Sequence, residues 1–214
     1  MDRLPRGRHG LSPEFVARNQ RERLIAALIL TLDEVGYQKT TVSMIGRRAA
    51  VSKSDFYKHF DSKDECFVAG YEYAVERVRA AAIDACAAAE AEEWPLRVRA
   101  GVVALLGLLA EEPPLASILL AEGLRAGRGI YDRYQAAVES LVPLLRRGAP
   151  EPPGGPEVPA ATDEAVVGGI ASLLSRRTIA GEAAGLAALT PDVLEFALTP
   201  HLGTEAARRI ISAG

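Results

Sequence analysis

The sequence predicts an all-α protein. Three observations carry this. Apolar residues recur at three- and four-residue spacing in one segment after another. Hydroxyl residues, prolines and glycines stand where such segments should start and stop. No stretch alternates apolar and polar residues as a half-buried strand does. The 214 residues, 49% of them hydrophobic, can bury a real core as one large domain or two small ones.

Residues 1–12 hold Arg3, Arg6, Arg8 and His9 among Pro and Gly. They read as a flexible basic arm, able to reach phosphates or a minor groove, or simply as a disordered tail. Pro13 to Val35 is expected to be a helix, with Leu24, Ile25, Leu28, Leu32 and Val35 on one face and Gly36 as its stop. Two short helices follow, Val42 to Ala49 and Lys53 to His59, with Thr41 and Ser52 as their N-caps. Val42, Ile45 and Ala49 should pack on the opening helix, and Phe56 and Phe60 should face inward. That leaves Lys53, Ser54, Tyr57 and Lys58 outside. Two capped helices about a tight turn make a helix-turn-helix, whose second helix would enter a DNA major groove.

Ser62 and Glu65 form an S-x-x-E capping box for a helix reaching Ala89, ~40 Å at 1.5 Å per residue. Pro95 sets the first turn of an apolar helix to Glu111, and Pro113-Pro114 starts a shorter one through Glu122. Tyr131 to Arg147 reads as one long helix, with cations at its C-terminus. Residues 149–160 form a Pro/Gly loop. Thr162 to Glu164 should cap a helix carrying Val166, Val167, Ile170, Leu173 and Leu174. Thr190 and Pro191 should open a last long helix, and Thr204 to Ile211 a tail helix.

The expected domains are 13–60, with the motif over 42–61, and 61–214. Charge divides with them. Residues 1–60 carry 11 Lys and Arg against 6 Asp and Glu, a net of +5; the rest carries 14 against 22, a net of −8. A basic front on an acidic body suits one face that meets an anion, although a modest excess is also found on any solvated surface. Cys66 and Cys86 have no zinc spacing, lie too far apart on one helix to bond, and read as small buried groups. The histidines, His9, His59 and His201, are scattered, and no cluster has metal-ligand spacing. No catalytic residue, metal or cofactor is expected. The longest apolar run, Gly101 to Ala110, falls short of the ~20 residues a bilayer needs, and no secretory leader is visible, so cytoplasmic location is expected.

The residues also resemble a known family. Gly36-Tyr37-Gln38-Lys39-Thr40-Thr41-Val42, then Ile45 to Ser52 through the turn, then Lys53-Ser54-Asp55-Phe56-Tyr57-Lys58-His59-Phe60 and Ser62-Lys63 are similar to the TetR family of bacterial transcriptional regulators. The local likeness covers about Gln20 to Val75; beyond it only the helical layout matches. The composition, rich in Ala, Arg, Gly and Pro, suits a high-GC bacterium. Three positions depart from the family pattern: Ala50 where Gly is frequent, Gly46 where Ala is usual, and Asp55 in place of a small or hydroxyl residue. Ala50 at positive φ would be strained, and Gly46 should cost ~1 kcal/mol of helix propensity. Asp55 would repel phosphate, accept from a cytosine amino group, or cap its helix.

The resemblance implies an N-terminal three-helix helix-turn-helix DNA-binding domain and a C-terminal helical ligand-binding and dimerisation domain. It implies phosphate contacts from Thr41, Ser43, Tyr57, His59 and Lys63, and from Arg47 or Arg48. Lys53, Ser54, Asp55 and Lys58 become candidates for base edges. A homodimer would span two half-sites of a double-stranded, palindromic operator ~34 Å apart. Val167, Ile170, Leu174, Val193 and Phe196 would form its interface, unless those apolar faces are internal core. Phe67, Tyr71, Leu105, Tyr131 and Tyr134 are candidates to line an effector pocket, or equally core. The expected function is a repressor released by a small, hydrophobic molecule. A DNA-binding regulator without effector and, remotely, a helical enzyme are the alternatives.

Overall fold

The computed structural model describes residues 12–123, 128–151 and 158–212. Residues 1–11 of the basic arm and residues 152–157 of the Pro/Gly loop lie outside the described residues. The described residues contain helices and turns and no strand. They form two compact units, Met1–Tyr73 and Ala74–Gly214.

The first unit opens with α1, Pro13–Lys39, capped by Ser12, whose Oγ accepts from Phe15 N at 3.2 Å. Gly36 interrupts α1 at φ 74° and ψ 165°, a conformation open to glycine, so the regular helix stops where the sequence suggested. α2 spans Val42–Ala49 and α3 spans Lys53–Phe56. α3 is shorter than expected: Tyr57 to His59 continue as turns that end at Phe60. Leu24, Leu28 and Leu32 of α1, with Ile45, Phe56 and Phe60, are almost fully buried and form the core. α4, Lys63–Ala88, begins in the first unit and ends in the second. Half of its capping box is present: Ser62 Oγ accepts from Glu65 N at 3.0 Å, while Glu65 Oε2 accepts from Asp61 N, one residue before the cap.

In the second unit, α5 runs Trp94–Glu111 and α6 Pro113–Ala116. A π-helical turn, Ser117–Glu122, follows in place of a continued α-helix and is almost wholly buried. The helix expected over Tyr131 to Arg147 is two, α7 (Arg128–Glu139) and α8 (Val142–Arg146). Pro143 is the cause, since it lacks an N–H and its ring clashes with the carbonyl four residues earlier. α9 spans Ala160–Ile179, starting after Pro159, so Thr162 and Asp163 lie in its first turn and do not cap it. A 3₁₀ stretch, Ala183–Leu189, leads into α10, Thr190–Leu202, and the Thr190 hydroxyl donates back to Ala187 O instead of capping. α11 is Thr204–Ser212.

Trp94, Val98, Leu145, Val166, Val167, Leu194, Leu198 and Ala207 make one core cluster. Polar groups enter it as a bonded set. Asp163 receives His201 Nε2 and Arg146 Nη1, each at 2.8 Å, and Trp94 Nε1 donates to Leu145 O at 2.7 Å. Buried polar atoms are tolerated when each finds a partner. No single helix among the described residues is long and apolar enough to cross a membrane; the nearest combination, α5 with the segment to Glu122, is bent by 105°.

Candidate nucleic-acid interface

The helix-turn-helix is assembled from local caps and a few long-range ties. Thr41 Oγ1 accepts from Met44 N at 3.2 Å, and Ser52 Oγ accepts from Asp55 N at 3.0 Å. Each bond satisfies an orphan amide of a first helical turn. Between the helices the chain makes a Schellman turn: Val51 N donates to Gly46 O at 2.9 Å and Ala50 N to Arg47 O at 3.2 Å. The turn places Ala50 at φ 50° and ψ 44°, the left-handed region. Among the described residues no other non-glycine has positive φ. The same turn accounts for Gly46. A Cβ there would meet the Val51 carbonyl oxygen at 2.8 Å, so the α2 backbone and the turn approach each other across a missing side chain.

Three residues of α1 brace the motif, and the sequence reading did not single them out. Arg23 donates to the Ala49 carbonyl at the end of α2. Gln20 Oε1 lies 3.1 Å from His59 Nε2, and the Arg21 guanidinium sits 5.1 Å from the centroid of the Phe60 ring. Each tie spans at least 26 residues, so no local spacing announces it.

The residues expected to meet DNA fall into two groups. Thr41, Ser43, Arg47, Lys53, Ser54, Tyr57 and Lys58 are exposed on α2, on α3 or just beside them. Tyr57 is 48% exposed and packs its ring edge to face with Phe56. The others are tied to partners within the chain. His59 is half-buried against Gln20, and burial, then the Arg21 charge, lower its pKa. Lys63 Nζ donates to Tyr37 O at 3.0 Å and lies 4.0 Å from the Tyr37 ring centroid, while the Tyr37 hydroxyl donates to Asp64. Burial, with Asp64 beside it, raises the Tyr37 pKa. Arg48 pairs with Glu34. Asp55 serves both its own helix and Lys58. Ser52 Oγ donates to Asp55 Oδ2 at 2.7 Å, and Lys58 Nζ donates to Oδ1 at 2.7 Å. The Lys58 ammonium, then the Ser52 hydroxyl, hold the Asp55 carboxyl below the usual carboxylate range.

The other expected sites are redistributed. Phe67 and Tyr71 are buried in the first unit, where Tyr37, Phe67 and Tyr71 form a run of rings with centroids 5.0 and 6.4 Å apart. Leu105, Tyr131 and Tyr134 belong to the second unit; Tyr131 is 49% exposed and lies against Tyr134. Of the expected dimer residues, Val167, Leu174 and Val193 are buried within the single chain, the internal-core alternative the sequence left open. Ile170 is partly buried against the same core. Phe196 is 50% exposed, with its ring over Gly169. Among the described residues no group of three His, Cys, Asp or Glu could hold a metal ion.

Residues 24–69 match the model of the bacterial regulatory proteins of the tetR family. An uncharacterised helix-turn-helix-type transcriptional regulator of Mycobacterium tuberculosis (strain ATCC 25618 / H37Rv) is 27% identical over 139 residues, 60% of this chain and 62% of that protein. The match thus spans less than two thirds of the relative's length. Among solved structures, the fatty acid degradation regulator FadR from Bacillus halodurans superposes with a TM-score of 0.72 at 17% identity, covering 89% of this chain and 97% of that one. FadR from Bacillus subtilis, in complex with stearoyl-CoA, gives 0.70 at 15%, covering 84% and 98%. At such identities the likeness establishes the fold.

Proposed function

We propose that this chain is a TetR-family transcriptional regulator and not an enzyme, a repressor that binds a palindromic operator as a homodimer and leaves it when a small hydrophobic molecule binds. One observation carries the DNA-binding part. Nine polar, basic or aromatic side chains from Thr41 to Lys58 are exposed on or beside two capped helices, in the unit that carries the positive charge. A single head of this size buries little DNA, which favours two heads on adjacent half-sites. The outward faces of α9 and α10 would join the two chains. Phe196 is exposed there over Gly169, and Ala165 and Ser172 of α9 are small and exposed.

For the effector, a long-chain acyl-CoA is the first molecule to test. The support is the fold shared with FadR of Bacillus subtilis, which is found with stearoyl-CoA, and the apolar helices of the second unit. Ligand and operator would act on α4, residues 63–73 in the first unit and 74–88 in the second, and their coupling would be reciprocal. Gel shift on the DNA flanking the gene tests the proposal. The protein should retard that fragment, and stearoyl-CoA should release it while coenzyme A alone does not. No retardation sinks the repressor reading; retardation that no acyl-CoA relieves sinks the effector.

A further inference from the structure

Given the reading of the first unit as a DNA-binding head, we infer that Asp55 sets specificity: a carboxylate fixed on the reading face, balanced by Lys58 in the free protein, that accepts from the amino group of a cytosine in the operator and opposes binding to other sequences.

The carboxylate is held, not merely present. Asp55 N donates to Ser52 Oγ at 3.0 Å, and the Ser52 hydroxyl donates to Asp55 Oδ2 at 2.7 Å. With that proton committed, the Ser54 hydroxyl is the donor in the 2.9 Å contact with Ser52 Oγ. The hydroxyls of Ser52 and Ser54 are thereby spent on orienting Asp55. Its Oδ1 faces Lys58 Nζ at 2.7 Å. Each carboxylate oxygen offers two lone pairs, so both keep acceptor capacity after these bonds. Asp55 is one-third exposed and Lys58 is 71% exposed. A pair so open to water is weak and exchanges its partners readily.

Charge then does the selecting. A carboxylate brought among phosphates is repelled on every sequence. In the major groove the compensating donor is a base amino group; cytosine N4 offers it with no acceptor beside it on the same base, whereas adenine N6 stands next to the N7 lone pair, which repels a carboxylate. On the matching sequence the cytosine replaces Lys58 at the carboxylate, and Lys58 is released to a phosphate. On any other sequence Lys58 either stays with Asp55 and forgoes the phosphate, or leaves a bare carboxylate behind. Both outcomes weaken the wrong complex, which is discrimination by repulsion as well as by attraction.

The test is selection of the full-length protein against a randomised duplex pool, followed by affinity measurements over a salt series. The unsubstituted protein should enrich a half-site with an invariant C·G pair. Asp55→Asn should turn that position towards A·T, since an amide suits adenine, and Asp55→Ala should relax it. Both variants should bind an unrelated duplex about tenfold more tightly, with a salt slope steeper by about one unit per head as Lys58 is freed for phosphate. Lys58→Ala should keep the C·G preference and weaken the unrelated duplex. Melting temperatures by circular dichroism separate these effects from loss of the acceptor for the Ser52 hydroxyl, which the Asn carbonyl can still supply. If Asp55→Asn enriches the same half-site with the same salt slope, the inference is overturned. If the unsubstituted protein enriches no duplex at all, the DNA-binding reading itself fails and the inference falls with it.

Discussion

Ala50 carries a Cβ in a backbone conformation that crowds it against the following carbonyl. Ala50→Gly is therefore expected to stabilise the protein by about 1 kcal/mol, measured by chemical denaturation. Gly46 behaves in the opposite way. Gly46→Ala gains ~1 kcal/mol of helix propensity but drives a methyl into the Val51 carbonyl, and overpacking of this kind costs about 1–3 kcal/mol. We expect net destabilisation in the native background and a smaller loss in the Ala50→Gly background, where the turn is free to yield. A double-mutant cycle with no coupling would refute this reading of the turn. His59 gives a pH prediction. Burial lowers its folded pKa below the ordinary 6.5. Above 6.5 the ring is neutral in both states and the stability is complete. As pH falls through 6.5 towards the folded pKa, the unfolded chain takes up the proton first and stability drops. Thermal melts from about pH 7.5 to about pH 5 should fall further for the unsubstituted protein than for His59→Gln.

At the scale of elements, the helix starts were the most legible part of the sequence. Thr41, Ser52 and Ser62 each accept from the amide three residues on, because a cap is a local bond between near neighbours. Pro143 is an equally local signal, but the single helix expected over Tyr131 to Arg147 ran through it; it divides α7 from α8. What periodicity could not show was which neighbour an apolar face meets. Val167, Leu174 and Val193 have the spacing of a face but are covered by the chain's own core. The braces from Gln20, Arg21 and Arg23, and the set of Arg146, Asp163 and His201, join residues brought together only by folding. The exposed α9–α10 face yields a prediction. Phe196→Asp should shift the protein from dimer to monomer in light scattering at micromolar concentration, with little change in far-ultraviolet circular dichroism. Val193→Asp should instead unfold it, since an unpaired charge would enter the core. Phe196→Asp that still runs as a dimer would move the interface elsewhere.

For the whole molecule, the opposed charges of residues 1–60 and 61–214 set how binding responds to salt. On the proposed reading the +5 front would supply phosphate contacts, and log affinity should fall linearly with log salt at about 0.9 per neutralised phosphate. Arg47→Ala should weaken all sequences alike and flatten that slope by about one unit per head.

Trp94 is the chain's one tryptophan, and it lies in the second unit, nearly shielded from water with its indole N–H bonded to Leu145 O. The intrinsic tryptophan emission of this protein therefore comes from the proposed effector unit, and the head is spectroscopically dark at those wavelengths. An operator that touches only the head should leave the emission unchanged unless the two units communicate. The change in emission on adding operator is thus a label-free gauge of how strongly one unit informs the other.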